Sequence, residues 1–230
     1  MRALIESNGI EVTISEDKRN LFDQILSVLE NGSGTIGLNV IKCKYLINNK
    51  FNGIISYIKR ISEDIVDGKN DHLRLSGGGN YPNYPLSNLL LYGDKDIYNI
   101  YINGYNGEFL GKNAYIEFDF VNRKINMTSY TIRTAYNPKN AYHPKTLKMI
   151  GSNDHINWEI IDMRENNDEL NDMSKCAHFE CSTTTGKYYR IIRYVQMENW
   201  GTIKYSPFSH YVGLSAIEFF GSITSFERKQ

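Results

Sequence analysis

From Phe51 onward the chain is a succession of short alternating apolar and polar runs cut by polar turns. That rhythm restricts it to an all-β sandwich or barrel. The clearest run is residues 115–120, where Ile116, Phe118 and Phe120 face inward and Tyr115, Glu117 and Asp119 face outward. A second strand is expected over residues 127–133, with Tyr130 and Ile132 on one face. Residues 147–150 and 158–161 flank Gly151, Ser152, Asn153, Asp154 and His155. This reads as a hairpin whose Asn and Asp supply local hydrogen bonds. Further strands are expected over residues 177–181, 188–196 and 214–220. There is no internal repeat and no low-complexity tract.

Residues 1–50 read differently, as a small α/β extension. Ser15 is a suitable N-cap, followed by Glu16 and Asp17, whose charges favour a helix N-terminus. Leu21, Phe22, Ile25, Leu26, Val28 and Leu29 then recur at helical spacing, and Asn31-Gly32-Ser33-Gly34 stops the helix. Residues 10–14 alternate as a strand, and residues 36–40 and 43–46 form one or two more. One amphipathic helix and a few strands cannot build a core of their own, so this segment is expected to pack on the sandwich or to continue a larger domain.

Charge bounds the partners. Lys plus Arg number 26 and so do Asp plus Glu, so a global basic field for nucleic acid or membrane surfaces is absent, although local patches are allowed. No apolar run is long enough for a membrane-spanning helix, and Glu6 and Asn8 interrupt any secretory signal. Cys43, Cys176 and Cys181 are an odd number without a disulfide framework pattern. An intracellular, cytoplasmic protein with reduced thiols is expected. With 17 Tyr against two Trp, the aromatic set suits half-buried β surfaces and recognition loops.

Five stretches in order resemble the discoidin family, also called coagulation factor 5/8 type C domains. They are residues 115–120; Tyr130-Thr131-Ile132-Arg133; residues 144–158 with their Gly-Ser-Asn-Asp turn and closing Trp158; Tyr188-Tyr189-Arg190-Ile191-Ile192-Arg193; and Ile217-Glu218-Phe219-Phe220-Gly221. The resemblance covers residues 51–223 and implies a galactose-binding-like jelly-roll β-sandwich followed by a tail, residues 224–230. Phe51-Asn52-Gly53-Ile54-Ile55 is similar to the first strand of intracellular protist members, and no Cys lies near Phe51 or Gly221 to form the disulfide of secreted ones. Members bind sugars, phospholipid headgroups or protein segments, and fold alone does not choose among them.

The resemblance places a ligand-binding surface on loops at one end of the scaffold, where recognition residues tend to gather. Loops rich in aromatics and amides nominate Tyr81, Arg133, Tyr136, His143, Trp200, Tyr205 and His210. The plain alternative is that these side chains simply cover the sandwich end. Sugar-binding relatives hold a structural calcium near the domain start, which here points to Asp94, Asp96 and Glu218, oxygen donors suited to a hard cation. Lys95 disfavours that site, and the alternative is a solvated turn with Glu218 satisfied by a neighbour. Cys176, His178 and Cys181 look like soft-metal ligands, but Cys176 and His178 share one strand face while Cys181 points the other way. Residues 107–113 are one residue short of a P-loop, and no nucleophile elbow or partnered His appears. The expected protein is therefore a non-enzymatic recognition module needing no cofactor. A protein partner comes first, carbohydrate is the alternative, and a purely structural role or an accessory to a separate catalytic chain follow.

Overall fold

Ile116, Phe118 and Phe120 are each fully buried, so the period-two pattern that signalled a strand also fixes which face meets the core. The computed structural model describes residues 4–7, 10–13, 36–62, 72–77, 85–93, 101–103, 114–183, 186–201 and 212–228. The helix expected between Ser15 and Leu29 lies outside them, as do the P-loop-like run and Tyr81, Asp94, Asp96, Tyr205 and His210.

The chain divides into two compact units, residues 1–39 with 225–230 and residues 40–224. In the first, β1 (Leu4–Ser7) pairs antiparallel with β2 (Ile10–Thr13). The remaining described strands form two five-stranded sheets. One has the order β4 (Arg74–Gly77), β6 (Ala114–Asp119), β11 (Ile191–Asn199), β8 (Pro144–Ser152), β9 (Glu159–Arg164). The other runs β10 (Cys176–Glu180), β7 (Arg123–Thr134), β12 (Val212–Arg228), β3 (Ile36–Cys43), and β5 (Tyr101–Asn103) also pairs with β12. The architecture is a mostly β two-sheet sandwich of the jelly-roll kind expected from the sequence.

The core lies between the sheets. Phe118 meets Phe219 edge-on at 4.9 Å, and Tyr130 donates across the sandwich to Asp162 Oδ2 at 2.7 Å. Asp162 carries no exposed surface, and burial acts to raise its carboxyl. Donors from Tyr130, Arg164 and the Ser182 amide outweigh that effect and hold it below the ordinary range. The expected hairpin is present as β8 and β9. Its Asp154 accepts from the Ile156 and Asn157 amides, and His155 takes φ 62° in the turn.

Glu117 faces away from the core as expected, yet it is only 8% exposed. Arg193 explains this, because its Nη2 donates to Glu117 Oε2 at 2.6 Å. The same guanidinium lies 4.0 Å from the Trp158 ring centre and 4.3 Å from that of Tyr115. An arginine stacked between two aromatics and paired with a carboxylate ties β6, β11 and the β8–β9 turn together.

One expectation is overturned. Ile54 and Ile55 do not open a strand; they open α1 (Ile54–Ile61). Ile54, Ile55, Ile58 and Ile61 fall at i, i+1, i+4 and i+7, a helical stripe. Ile54, Ile55 and Ile58 are buried, while Lys59 and Arg60 occupy the last turn, where cations suit the helix dipole.

Candidate functional site

Strand register decides which loops share an end. Gly77 of β4 pairs near the start of β6, and Ala114 of β6 pairs Gln196 near the end of β11. Asn199 pairs Pro144 at the start of β8, and Leu147 pairs Arg164 at the end of β9. In the other sheet Cys176 pairs Arg133, and the Ala135 amide donates to Gly213 O. Gly77, Thr134, Arg164 and Asn199 therefore lie at one end of the sandwich. Tyr136, His143 and Trp200, nominated from sequence, follow these strand ends, and residues 165–175, which sequence reasoning did not single out, join them there.

The described parts of these loops are stitched together by polar contacts. The Asn140 amide donates to Asn171 Oδ1 at 2.9 Å, and Asn171 Nδ2 returns a bond to Asn140 Oδ1 at 2.8 Å. Asn140 has φ 60°, a conformation that Asn tolerates better than most residues. Trp200 Nε1 donates to Asn167 O at 2.9 Å, and its main-chain amide donates to His143 O. The Lys145 ammonium sits 5.5 Å from the Trp200 ring centre and 3.4 Å from Glu198. Trp200 and Tyr142 are half-buried, and Tyr136 is 44% exposed. These rings, with Lys139, Asn140 and Lys145, form the described surface of the loop end.

Two nominated residues sit inside the fold instead. His143 is 1% exposed, and its Nε2 lies 3.0 Å from both Asn137 O and Pro138 O. Two carbonyl acceptors make that nitrogen the protonated one. Burial lowers the pKa of the ring, partly offset by those bonds, so it braces the 136–143 loop as a neutral imidazole. Arg133 is 6% exposed. Its Nε donates to Ser215 Oγ, and Nη1 and Nη2 donate to Gly93 O and Leu91 O. It straps the segment after the 3-10 helix Leu86–Leu90 to the sheet, with Phe51 over its guanidinium at 5.4 Å.

Among the described residues, three buried acceptors in these loops have no hydrogen-bond donor: Asn137 Oδ1, Asn167 Oδ1 and His143 Nδ1. Buried acceptors left this way are uncommon and cost about 1–3 kcal/mol each.

Glu218, nominated for calcium, has a different occupation. It is fully buried in β12, and Oε1 accepts from the Ile55 and Phe219 amides at 2.8 Å each. Oε2 accepts from the Ser56 amide at 3.0 Å and from Ser56 Oγ at 2.7 Å. A carboxylate from a distant strand thus serves the two amides that an N-cap side chain ordinarily would. The N-cap itself is Gly53, where a Cβ would run into Phe219 O and come within 2.9 Å of the Glu218 side chain. Burial raises the Glu218 carboxyl to about 7, against the pull of those four donors. With both oxygens engaged by donors, Glu218 offers a cation little in this arrangement. Among the described residues no group of three His, Cys, Asp or Glu side chains is placed to hold a metal ion.

The three thiols are also set by burial. Cys43 and Cys176 are pushed up from the usual value and Cys181 is pushed up to about 12. Cys176 and His178 are half-buried on one face of β10, and the buried Cys181 follows the strand.

No protein-family model matches the chain, and no curated protein matches it. Among solved structures it is similar to several Clostridium perfringens modules. CBM32-3 from a family 31 glycoside hydrolase is 15% identical, with 64% of this chain and 90% of that one covered at a TM-score of 0.46. CpGH89CBM32-5, in complex with GalNAc-beta-1,3-galactose, is 14% identical over 64% and 94% at 0.44. The family 32 CBM of NanJ, in complex with galactose, is 9% identical over 66% and 93%, also at 0.44.

Proposed function

We propose that this chain is a non-enzymatic recognition module that binds carbohydrate at its loop end. The observation carrying this is Trp200. Its indole N–H is already spent on Asn167 O, so the ring face is what it has left for a ligand. Tyr136 adds a second exposed ring. Aromatic faces stack on the C–H surfaces of sugars, and nearby amide and ammonium groups provide directional bonds to hydroxyls. The unpaired Asn137 and Asn167 side-chain oxygens are acceptors that sugar hydroxyls can satisfy once the loops yield to the ligand. Against catalysis stand thiols raised by burial and a His143 locked as a brace.

A protein ligand is the second reading, favoured by the same tyrosines, since Tyr also anchors protein interfaces. Three unpaired cysteines, none of them in a disulfide, agree with an intracellular setting. A glycan array with the whole chain separates the two ligand classes. Binding to a defined set of glycans, weakened at least about tenfold by W200A with the fold intact, supports carbohydrate. An array with no signal above background removes that reading, and affinity purification of the tagged chain with mass spectrometry then tests for a protein partner.

A further inference from the structure

Residues 136–143 and 165–175 are closed on each other through Asn140 and Asn171, yet the closed form is poorly satisfied. Asn140, Asn166 and Ser174 take φ of 60°, 50° and 48°, left-handed conformations that residues other than glycine adopt at a cost. Asn137 Oδ1, His143 Nδ1, Asn167 Oδ1 and Ser174 Oγ are buried and have no hydrogen-bond partner among the described residues. Strain and unmet polar groups both narrow the gap between the closed loops and an open form in which water reaches those atoms. A narrow gap is what a switch requires.

His143 stands where the closure is made. Its buried ring ties Nε2 to Asn137 O and Pro138 O at 3.0 Å each, and its own carbonyl accepts from the Trp200 amide. A neutral ring with the proton on Nε2 fits these contacts. A second proton would go to Nδ1, placing an N–H and a positive charge in a buried position that offers no acceptor among the described residues. Opening the loop lets both nitrogens meet water, so proton uptake and closure oppose each other. Asp172 of the neighbouring loop is the charged group whose field reaches the ring, and it favours the proton. Lys139 is exposed on the loop itself, and Lys145 and Glu198 on the flanking strands pair with each other at 3.4 Å. Burial outweighs Asp172 and the two carbonyls, so the closed ring titrates below its ordinary 6.5. Neutral His143 therefore supports closure fully above pH 6.5, and that support is lost as pH falls through the lower value of the closed ring.

We propose that His143 is a proton-operated latch of the loop end. Protonation of Nδ1 releases residues 136–143 from their carbonyl brace and frees the segment carrying Trp200, so the loop end holds a ligand at neutral pH and lets it go in mild acid. Ligand release rests on the carbohydrate reading of this surface; the latch itself does not. Between the two titration points of the ring, the open population grows by at most about tenfold per pH unit.

The test is amide exchange of the whole chain by NMR from about pH 7.5 to about pH 5, with protection corrected for the intrinsic pH dependence of exchange. Protection of the Asn140 and Trp200 amides is expected to fall about tenfold, with the same midpoint as the His143 ring protons, while Tyr194 in the middle of β11 holds. H143Q keeps a donor for the two carbonyls and cannot titrate, so its protection should stay flat. D172N removes the carboxylate that favours the proton and should move the transition to lower pH, which decides the matter if H143Q folds poorly. Wild-type protection that ignores pH overturns the latch, as does a fall that persists in folded H143Q or a midpoint that D172N leaves in place. The glycan array run at both ends of the range tests release separately. Signal at neutral pH that drops about tenfold in acid, but not in H143Q, supports it, and equal signal at both overturns it. No signal at either removes the carbohydrate reading, and the exchange data alone then decide the latch.

Discussion

Glu218 gives the fold a pH dependence whose sign runs opposite to that of most carboxylates. The side chain is fully buried, and its pKa rises from 4.5 to about 7 because burial disfavours the charge more than four donors restore it. A folded value above the unfolded one means the native state holds the proton more tightly. Its contribution to stability is therefore complete below pH 4.5 and is lost as pH rises through about 7. At about 1.4 kcal/mol per pKa unit, the whole span is worth roughly 3 kcal/mol, most of it falling between pH 5 and pH 8. E218Q cannot titrate. Its amide nitrogen would also face two of the four donors, a further cost of about 1–3 kcal/mol for each one orphaned. Urea unfolding of both proteins at several pH values isolates the carboxyl, because other titrating groups cancel in the difference. The stability gap between wild type and E218Q should narrow by roughly 2–3 kcal/mol from pH 5 to pH 8. A gap constant to within about 1 kcal/mol would refute the linkage. S56A offers a milder check. It removes one donor to Oε2 and should shift the wild-type transition to higher pH.

Other consequences are simpler. Gly221 has φ 135°, and a Cβ there would collide with Asn126 O and sit 3.0 Å from the Thr128 amide. G221A is expected to lose about 2 kcal/mol or more, read as a fall in thermal midpoint. W158A removes one plate from the Arg193 stack and should cost about 2 kcal/mol in urea unfolding, with the β8–β9 turn losing amide-exchange protection first. N137A deletes an acceptor that has no donor among the described residues, so stability should hold or rise slightly while affinity for a bound glycan falls. Calorimetric titration beside thermal melts reads both, and a loss of stability without a loss of affinity would count against a ligand role for Asn137.

The sandwich was legible wherever one face of a strand is buried, as at Ile116, Phe118 and Phe120, because a period-two pattern then fixes both strand and orientation. It was less legible where an apolar pair fits either geometry. Ile54 and Ile55 begin a helix, and the deciding signal, Ile58 and Ile61, lies beyond the apolar run of residues 51–55. Gly53 is a weak cap by itself, and the carboxylate that replaces its missing side chain comes from Glu218, 163 positions past Ile55. No local pattern can announce a cap of that kind.

The loop end shows the same limit in its effect on function. Arg133 and His143 have the donors that sugar recognition uses, which is why sequence nominated them. The fold has already directed those donors at Leu91, Gly93, Asn137 and Pro138 carbonyls. A residue type states what bonds a side chain is able to make, whereas burial states which it has left. By that measure Trp200 and Tyr136 are the better candidates among the described residues. Asn167 and Asn171 join them because the 165–175 loop, a polar turn-rich stretch in the sequence, is hydrogen-bonded to Trp200 and Asn140. The expectation that follows concerns coupling between loops. N171A, which severs both bonds to Asn140, should weaken glycan binding while leaving the Trp200 ring untouched. W200A and N171A should then be less than additive in a double-mutant cycle, since each loosens the same pair of loops. Strict additivity would mean that the loops act separately and that Asn171 serves only local stability.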